Sequence, residues 1–247
     1  MKRLQQQTLK FDKTTKTLTS TACKSSSSDQ GQKQTGLASS TKKAFKSSPF
    51  LSLEQSMNDR TLQVYKDDTF VVIRDKYPKA KCHMLLIPLL INGVKLIKLE
   101  DLIRLPNSIQ FLKQMKRLVS DKILALLPAS IHKSHLMLGF HAIQSMQPLH
   151  MHIITKDFNS DCFKHKKHWN SFNTAYFVNL DALIQHLEED LDTLKTDYFK
   201  EDKFNLRKIN ILNDYLKVDL KCNFCGITQS NIPNLKKHLL THSNWLV

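Results

Sequence analysis

No apolar run in the chain approaches the ~20 residues that a membrane-spanning helix requires; the longest, Met84 to Ile91, is interrupted by Pro88. An apolar signal-peptide core is lacking too, because Lys2 and Arg3 lead into glutamines and threonines, so neither membrane insertion nor secretion is expected. Cysteine is too scarce for a disulfide framework. Of the five, only Cys222 and Cys225 are closely spaced with histidines downstream, which suggests metal ligation in a reducing compartment and leaves Cys23, Cys82 and Cys162 as ordinary thiols. Acidic residues are the fourth shortage: 22 Asp and Glu face 37 Lys and Arg, a formal net charge of +15. Such an excess favours a polyanionic partner, nucleic acid before an anionic membrane surface, over a protein that is merely basic.

At 247 residues the chain accommodates one ordinary core and a small satellite module. Residues 1–49, rich in Ser, Thr, Lys and Gln, offer too little apolar surface to offset the entropy of ordering and read as a disordered basic tail. Its Lys42, Lys43 and Lys46 suit nuclear import or DNA tethering, or nothing beyond solvation. Beyond Leu51, Thr69 to Arg74 and His83 to Leu90 read as strands linked through a Tyr77-Pro78 turn. Leu96 to Leu127 has helical spacing, with a long amphipathic helix starting soon after Pro106 and burying Leu112, Met115, Leu118 and Val119. Leu136 to His141 and Leu149 to Thr155 return to strand character, which makes the main domain, residues 50–180, α+β. Residues 181–217 are charged and helical in pattern and are expected to connect to a terminal module, 218–247, that is too small for a core of its own and needs a staple.

The stretch Gly139-Phe140-His141-Ala142-Ile143-Gln144-Ser145-Met146-Gln147-Pro148-Leu149-His150-Met151-His152-Ile153-Ile154 carries the chemistry. Alternate strand residues share a face, so His150 and His152 project together, roughly 6–7 Å apart, with room for one phosphate between them. A neutral imidazole can attack phosphorus to form a phosphoramidate while a second, cationic group assists the departing oxygen. Two alternate histidines alone are more often metal ligands or core residues, and the flanking residues narrow the reading. His-x-His on an apolar strand, preceded by Gly-Phe-His-Ala and Ser-Met, resembles the histidine-triad nucleotide hydrolases, in particular the branch that removes AMP from DNA 5′ ends and carries a terminal zinc finger. Asp75-Lys76-Tyr77-Pro78-Lys79-Ala80 with His83, Lys156 to Ser160 and Lys166 to Thr174 support the same branch, and the likeness covers Leu51 to Phe177 and the finger.

The resemblance implies an antiparallel histidine-triad sheet with helices, followed by a small ββα-type zinc finger. It places His150 as the nucleophile that attacks the AMP phosphorus and expels the DNA 5′-phosphate, His141 at the leaving group, and His152 and Ser145 at the phosphate. Asp75 and Lys79 fall near the adenylate, and His83 beside them or in support of the site. DNA contacts are implied at Leu89, Leu90, Ile91, Asn92 and Gly93, at Asn159 and Ser160, and at Lys166 and Lys167, with Phe50 as the available wedge against a terminal base pair. One departure stands out: Pro148 occupies the place of the first triad histidine, so an orienting hydrogen bond is expected to be lost and activity reduced.

Cys222-x2-Cys225-x12-His238-x3-His242 has the spacing of a two-Cys, two-His zinc finger, with Leu235 on the buried side of its helix and Lys236 and Lys237 turned outward or toward phosphate. A single finger reads only about three base pairs, so it is expected to clamp the DNA backbone, or to bind protein. The expectation is a monomeric hydrolase of adenylated DNA ends at nicks and breaks, nuclear or both nuclear and cytoplasmic, releasing AMP, with zinc as its structural ion and no membrane attachment. A small-molecule nucleoside phosphoramidase and a non-catalytic DNA-end binder are the alternatives. The ~50 residues before the main domain are too few and too polar to fold as the phosphopeptide-binding domain of some larger relatives.

Overall fold

The computed structural model describes residues 53–91, 93–191 and 209–245, so the basic tail, Phe50 and Asn92 lie outside the described residues. The chain runs α1 (Leu53–Asn58), β1 (Gln63–Lys66), β2 (Phe70–Arg74), β3 (His83–Pro88), the hairpin β4 (Leu90–Ile91) and β5 (Val94–Lys95), α2 (Leu99–Ile103) and α3 (Ser108–Leu118). It continues through β6 (Leu136–His141), β7 (Met151–Thr155), α4 (Lys166–Asn173), β8 (Phe177–Asn179), α5 (Leu180–Leu191) and α6 (Ile209–Tyr215), and ends with β9 (Leu220–Lys221), β10 (Thr228–Gln229) and α7 (Ile232–Leu239). β1, β2, β3, β7, β6 and β8 form one antiparallel six-stranded sheet in that order, and β9 and β10 a separate ribbon.

β3 and β7 are buried along their whole length because both faces of the sheet are covered. On one face Phe70, Val72, Met84, Leu86, Met151 and Ile153 pack under Phe111, Leu112 and Met115 of α3 and Leu183, Ile184 and Leu187 of α5. On the other face Val71, Ile73, Leu85 and Ile87 lie beneath Leu53 of α1, while Ile154 packs with Phe158, Trp169, Phe172 and the apolar side of α7. Strand alternation puts His83, His152 and His141 on this second face, between the two apolar clusters. The site is therefore an interruption in an otherwise hydrophobic layer.

The helix after Pro106 forms as its spacing predicts, with Ile109, Phe111, Leu112, Met115 and Leu118 buried. Beyond Leu118 it widens into a π turn over Val119–Ile123 and tightens into a 3-10 turn over Leu124–Leu126, a change in pitch that the apolar spacing does not reveal. The expected connector begins as part of the core. Leu180, Leu183, Ile184 and Leu187, at helical spacing, are buried, and the Asn179 carboxamide oxygen starts α5 by accepting from the N–H groups of Asp181 (3.0 Å) and Ala182 (3.1 Å). β8 also crowds β6: a Cβ on Gly139 would stand 2.4 Å from the Val178 carbonyl oxygen and 2.8 Å from the Phe177 ring. Only glycine admits that approach, directly opposite His152 in the β6–β7 register.

Candidate active site

Four imidazoles, those of His83, His141, His150 and His152, line one cavity of about 370 Å³ together with Asp75, Lys79 and Ser145 from loops and Lys167, His168, Ser171 and Phe172 from α4. The His150 and His152 rings are 5.1 Å apart between centroids and nearly perpendicular. That separation is shorter than extended-strand geometry predicts, because the rings lean toward each other. His152 also lies 4.3 Å from His141 and 5.2 Å from His83, and the edge of Phe172 closes the cluster.

The hydrogen bonds assign the protons. His150 Nδ1 lies 2.9 Å from the Pro148 carbonyl oxygen; a carbonyl only accepts, so Nδ1 carries the hydrogen and Nε2 keeps its lone pair. At His83 the Lys79 backbone N–H donates to Nδ1 (3.2 Å), which places that ring's hydrogen on Nε2, from where it donates to His152 Nδ1 (3.0 Å). The Asp75 carboxylate, 3.5 Å from the same His83 Nδ1, favours the opposite proton position. The backbone donor is nearer and cannot accept, so it decides the tautomer of the neutral ring. His152 is left with its hydrogen on Nε2, and that atom and His141 Nε2 are buried with no hydrogen-bond partner among the described residues. Buried polar atoms left unpaired are expensive, which marks the space beside them as one for a polar ligand.

Burial also sets the charge. It pushes His83 down to about 4 and His141 down to about 3, aided in each case by repulsion from neighbouring imidazoles and Lys79, and it holds His152 well below the ordinary histidine value. His150 is lowered by burial as well, with the Pro148 carbonyl and Asp75 pulling the other way. The imidazole cluster is therefore neutral at pH 7, and the cations at the cavity are Lys79 and Lys167. A histidine depressed in the folded state binds a proton more readily once unfolded, so stability is complete above the ordinary value of 6.5 and falls as pH drops through the interval down to about 4 for His83 and about 3 for His141. Urea unfolding at pH 7 and pH 5 is expected to show a loss of about 2 kcal/mol for a single such ring, and His83→Gln to flatten the slope. Equal stability at both pH values would refute the neutral cluster.

The structure gathers His150, His141, His152, Ser145, Asp75, Lys79, His83 and Lys167 into this cavity. Lys166 instead points at Asp219, 3.4 Å away. Ser160 hydroxyl donates to the Pro78 carbonyl, and its own carbonyl accepts from Lys236 Nζ (2.7 Å), so Lys236 is tied to the main domain instead of facing outward. Asn159 is exposed beside it. In the hairpin Leu89 is half-buried against the α1 cluster, Leu90 is 61 % exposed, Ile91 is half-buried, and Gly93 takes the turn at φ 77°. His168, Ser171 and Phe172 were not singled out by sequence reasoning, although they share one face of α4 with Lys167, a periodicity visible in Lys166 to Thr174. A second cavity of about 290 Å³ shares Asp75, Tyr77 and Met146 with the first; Leu53, Leu62, Ile73 and Leu85 give it an apolar side, and Gln55, Ser56, Asp59 and Lys76 a polar one.

The terminal module is built around Cys222, Cys225, His238 and His242, whose ligand atoms all lie within 4.8 Å of one another. Cys225 Sγ to His238 Nε2 and His238 Nε2 to His242 Nε2 are each 3.2 Å, close to the roughly 3.3–3.8 Å edges of a tetrahedron around zinc with thiolate and imidazole ligands. Asn231 caps α7, accepting from the Asn234 N–H (2.9 Å), and fully buried Leu235 faces the main domain. These residues fit a structural zinc ion. The module is bolted to α4: Trp169 Nε1 donates to the Lys221 carbonyl (2.9 Å), and buried Asn170 donates to the carbonyls of Leu216 (3.1 Å) and Val218 (2.7 Å).

Sheet, imidazole cluster and finger together define a histidine-triad-type domain joined to a zinc-binding finger. Residues 50–168 match the family described as scavenger mRNA decapping enzyme C-term binding, and residues 173–244 the C2HE / C2H2 / C2HC zinc-binding finger. Aprataxin from Danio rerio is 42% identical over 191 residues, 77% of this chain and 52% of that protein, and the aprataxin-like protein of Saccharomyces cerevisiae is 30% identical over 77% of this chain and 91% of its own length. The chain belongs to the aprataxin family. It spans about half the length of the Danio rerio and Gallus gallus relatives it matches, 52% and 54% respectively. Among solved structures, the aprataxin ortholog Hnt3 in complex with DNA aligns with a TM-score of 0.57 at 26% identity, covering 78% of this chain and 92% of that one.

Proposed function

We propose that this protein is a DNA 5′-adenylate hydrolase that removes AMP from abortive ligation intermediates at nicks and breaks, in the nucleus and as a monomer. The observation that carries the reading is His150 Nε2. It is an imidazole nitrogen with its lone pair free, in a cavity where the neighbouring His152 ring offers an N–H donor and which Lys79 from a loop and Lys167 from α4 also line. The second cavity, with apolar Leu53, Leu62, Ile73 and Leu85 on one side and polar Gln55, Ser56 and Asp59 on the other, suits the adenine base, and Asp75, which lines both cavities, is then placed between base and phosphate. The ortholog crystallised with DNA supports the choice of substrate, as does the net charge of +15.

In the first step His150 Nε2 forms a bond to the AMP phosphorus, the bond from that phosphorus to the bridging oxygen breaks, and its electron pair leaves with the DNA 5′-phosphate. The Nδ1 hydrogen stays on the ring, where the Pro148 carbonyl stabilises the cationic phosphoramidate. The departing group is a phosphate monoester with a second pKa near 6, so it needs hydrogen-bond donors more than a proton. Neutral His141 and His152 supply such donors, with Ser145 at the phosphate. Water then attacks the phosphoramidate, returning the lone pair to His150 and releasing AMP.

Residues 50–180 form the catalytic domain in this reading, residues 218–247 the finger that clamps the DNA backbone, and residues 181–217 the link. Leu89 to Gly93, Asn159, Ser160, Lys166 and Phe50 contribute to the DNA surface. The deciding experiment is turnover of a nicked duplex carrying a 5′-adenylate beside turnover of AMP amidated on lysine. Efficient AMP release from the duplex with weak turnover of the amide is expected. The reverse preference identifies a small-molecule phosphoramidase, and no release from either substrate identifies an end binder.

A further inference from the structure

Three of the cavity's imidazoles, those of His83, His141 and His152, come from the sheet and that of His150 from the residue before β7; the fifth, His168, comes from α4 and lines the same cavity. Its Nδ1 accepts from the Lys164 backbone N–H (3.2 Å), so the ring hydrogen sits on Nε2, which has no hydrogen-bond partner among the described residues. The ring is half-buried at the cavity wall, next in sequence to Lys167 and close enough to Lys79 for that ammonium to repel a proton from it. Burial, Lys79, His165 and Lys167 together push it down to about 4, so it is neutral at working pH and remains a donor with a single fixed hydrogen.

The sheet histidines already surround the point where His150 meets phosphorus, and their unpaired ring nitrogens are His141 Nε2 and His152 Nε2. The α4 wall carries a different set, Lys167, His168 and Ser171, and Lys79 lines the same cavity within electrostatic reach of His168. An anion held between these groups would be a second phosphate, displaced from the one under attack. We propose that His168 Nε2–H donates to the DNA 5′-phosphate as it departs, making α4 the wall that recognises a phosphate leaving group. This rests on the adenylate-hydrolase reading and adds a residue to it.

Chemically the role is that of a preorganised donor aimed where charge accumulates as the bridging P–O bond breaks. No proton is transferred, and the electron pair stays on the departing phosphate oxygen. His168 then matters only when the leaving group is itself a phosphate. An AMP aryl ester, whose leaving phenolate carries no phosphate, reacts at the same His150 without using the α4 wall.

The test compares His168→Phe, which keeps the ring's volume and removes the donor, and His168→Asn, which keeps an N–H, with the unaltered full chain. Single-turnover rates are read on a 5′-adenylated nicked duplex and on adenosine 5′-(p-nitrophenyl phosphate). The Phe variant is expected to lose about 30-fold on the duplex and less than about twofold on the aryl ester, and the Asn variant to recover most of the loss. Equal losses on both substrates would mean that His168 only supports α4, and no loss on either would mean that it does not meet the substrate; each overturns the proposal. An unaltered chain that leaves the adenylated duplex intact would overturn the hydrolase reading and this inference with it. An active chain indifferent to His168→Phe overturns the inference alone.

Discussion

Replacing His150 by alanine is expected to lower AMP release from an adenylated duplex by about 10⁴-fold or more and to abolish covalent labelling of the protein by AMP in an acid-quenched single turnover. The size of the effect follows from the geometry, because the neighbouring His83 and His152 rings have their acceptor nitrogens occupied. His83 uses Nδ1 for the Lys79 N–H and Nε2 for His152, and His152 uses Nδ1 for His83. Neither can present a lone pair in place of His150. Retained labelling in the alanine variant would remove the nucleophile assignment.

Pro148→His, the companion experiment, is expected to change the rate by less than about tenfold. The concern raised by the sequence was that a proline in place of the first triad histidine removes an orienting hydrogen bond. The bond that orients His150 comes from the carbonyl of residue 148, 2.9 Å from Nδ1, and a main-chain carbonyl is present whatever the side chain. Proline removes a backbone donor and an imidazole but leaves that acceptor in place. A gain of two orders of magnitude on restoring the histidine would show that the side chain, not the carbonyl, does the orienting.

The second large effect is expected on removing zinc. A structural zinc site of this type contributes on the order of 10–16 kcal/mol to the folding of its module, so Cys222→Ser or exhaustive chelation should unfold residues 218–245. The consequence reaches the cavity through α4. Trp169 would lose its acceptor at Lys221 and buried Asn170 one of its two, at Val218, and each buried donor left unsatisfied costs about 1–3 kcal/mol. The same helix supplies Lys167, His168, Ser171 and Phe172 to the cavity wall. Turnover of adenylated DNA is expected to fall about 100-fold, and turnover of the AMP aryl ester, which never touches the finger, about tenfold. Amide hydrogen exchange across residues 166–173 should accelerate in parallel. Unchanged exchange and unchanged aryl-ester turnover would show that the finger is only an appended DNA clamp.

Much of this was legible in the chain because the responsible signals are local. The buried strand Phe70–Arg74, the apolar run His83–Pro88 and the alternation around His150 and His152 are short-range patterns that survive into the structure. The four zinc ligands are legible for the same reason, since a knuckle and one helical turn span few residues. The stripe of Leu180, Leu183, Ile184 and Leu187 is visible as helical spacing, but that α3 and the sheet bury it is not, because those partners lie far away along the chain. Lys236 was read as facing outward or phosphate because nothing in a finger's own sequence reveals that Ser160 lies within its reach.

The sequence alone determined which residue types stand at which spacing: imidazoles on alternate positions of an apolar strand, thiolates and imidazoles at zinc-binding intervals, and a glycine where two strands meet. Only the tertiary structure decided the state of those groups. The proton on His152 is set by His83, 69 positions away in the chain, the lone pair of His150 by a carbonyl turned toward it, and the neutrality of all four rings by burial between two apolar clusters. Spacing is a property of the chain, whereas tautomer, charge and the shape of a cavity depend on what folding brings alongside.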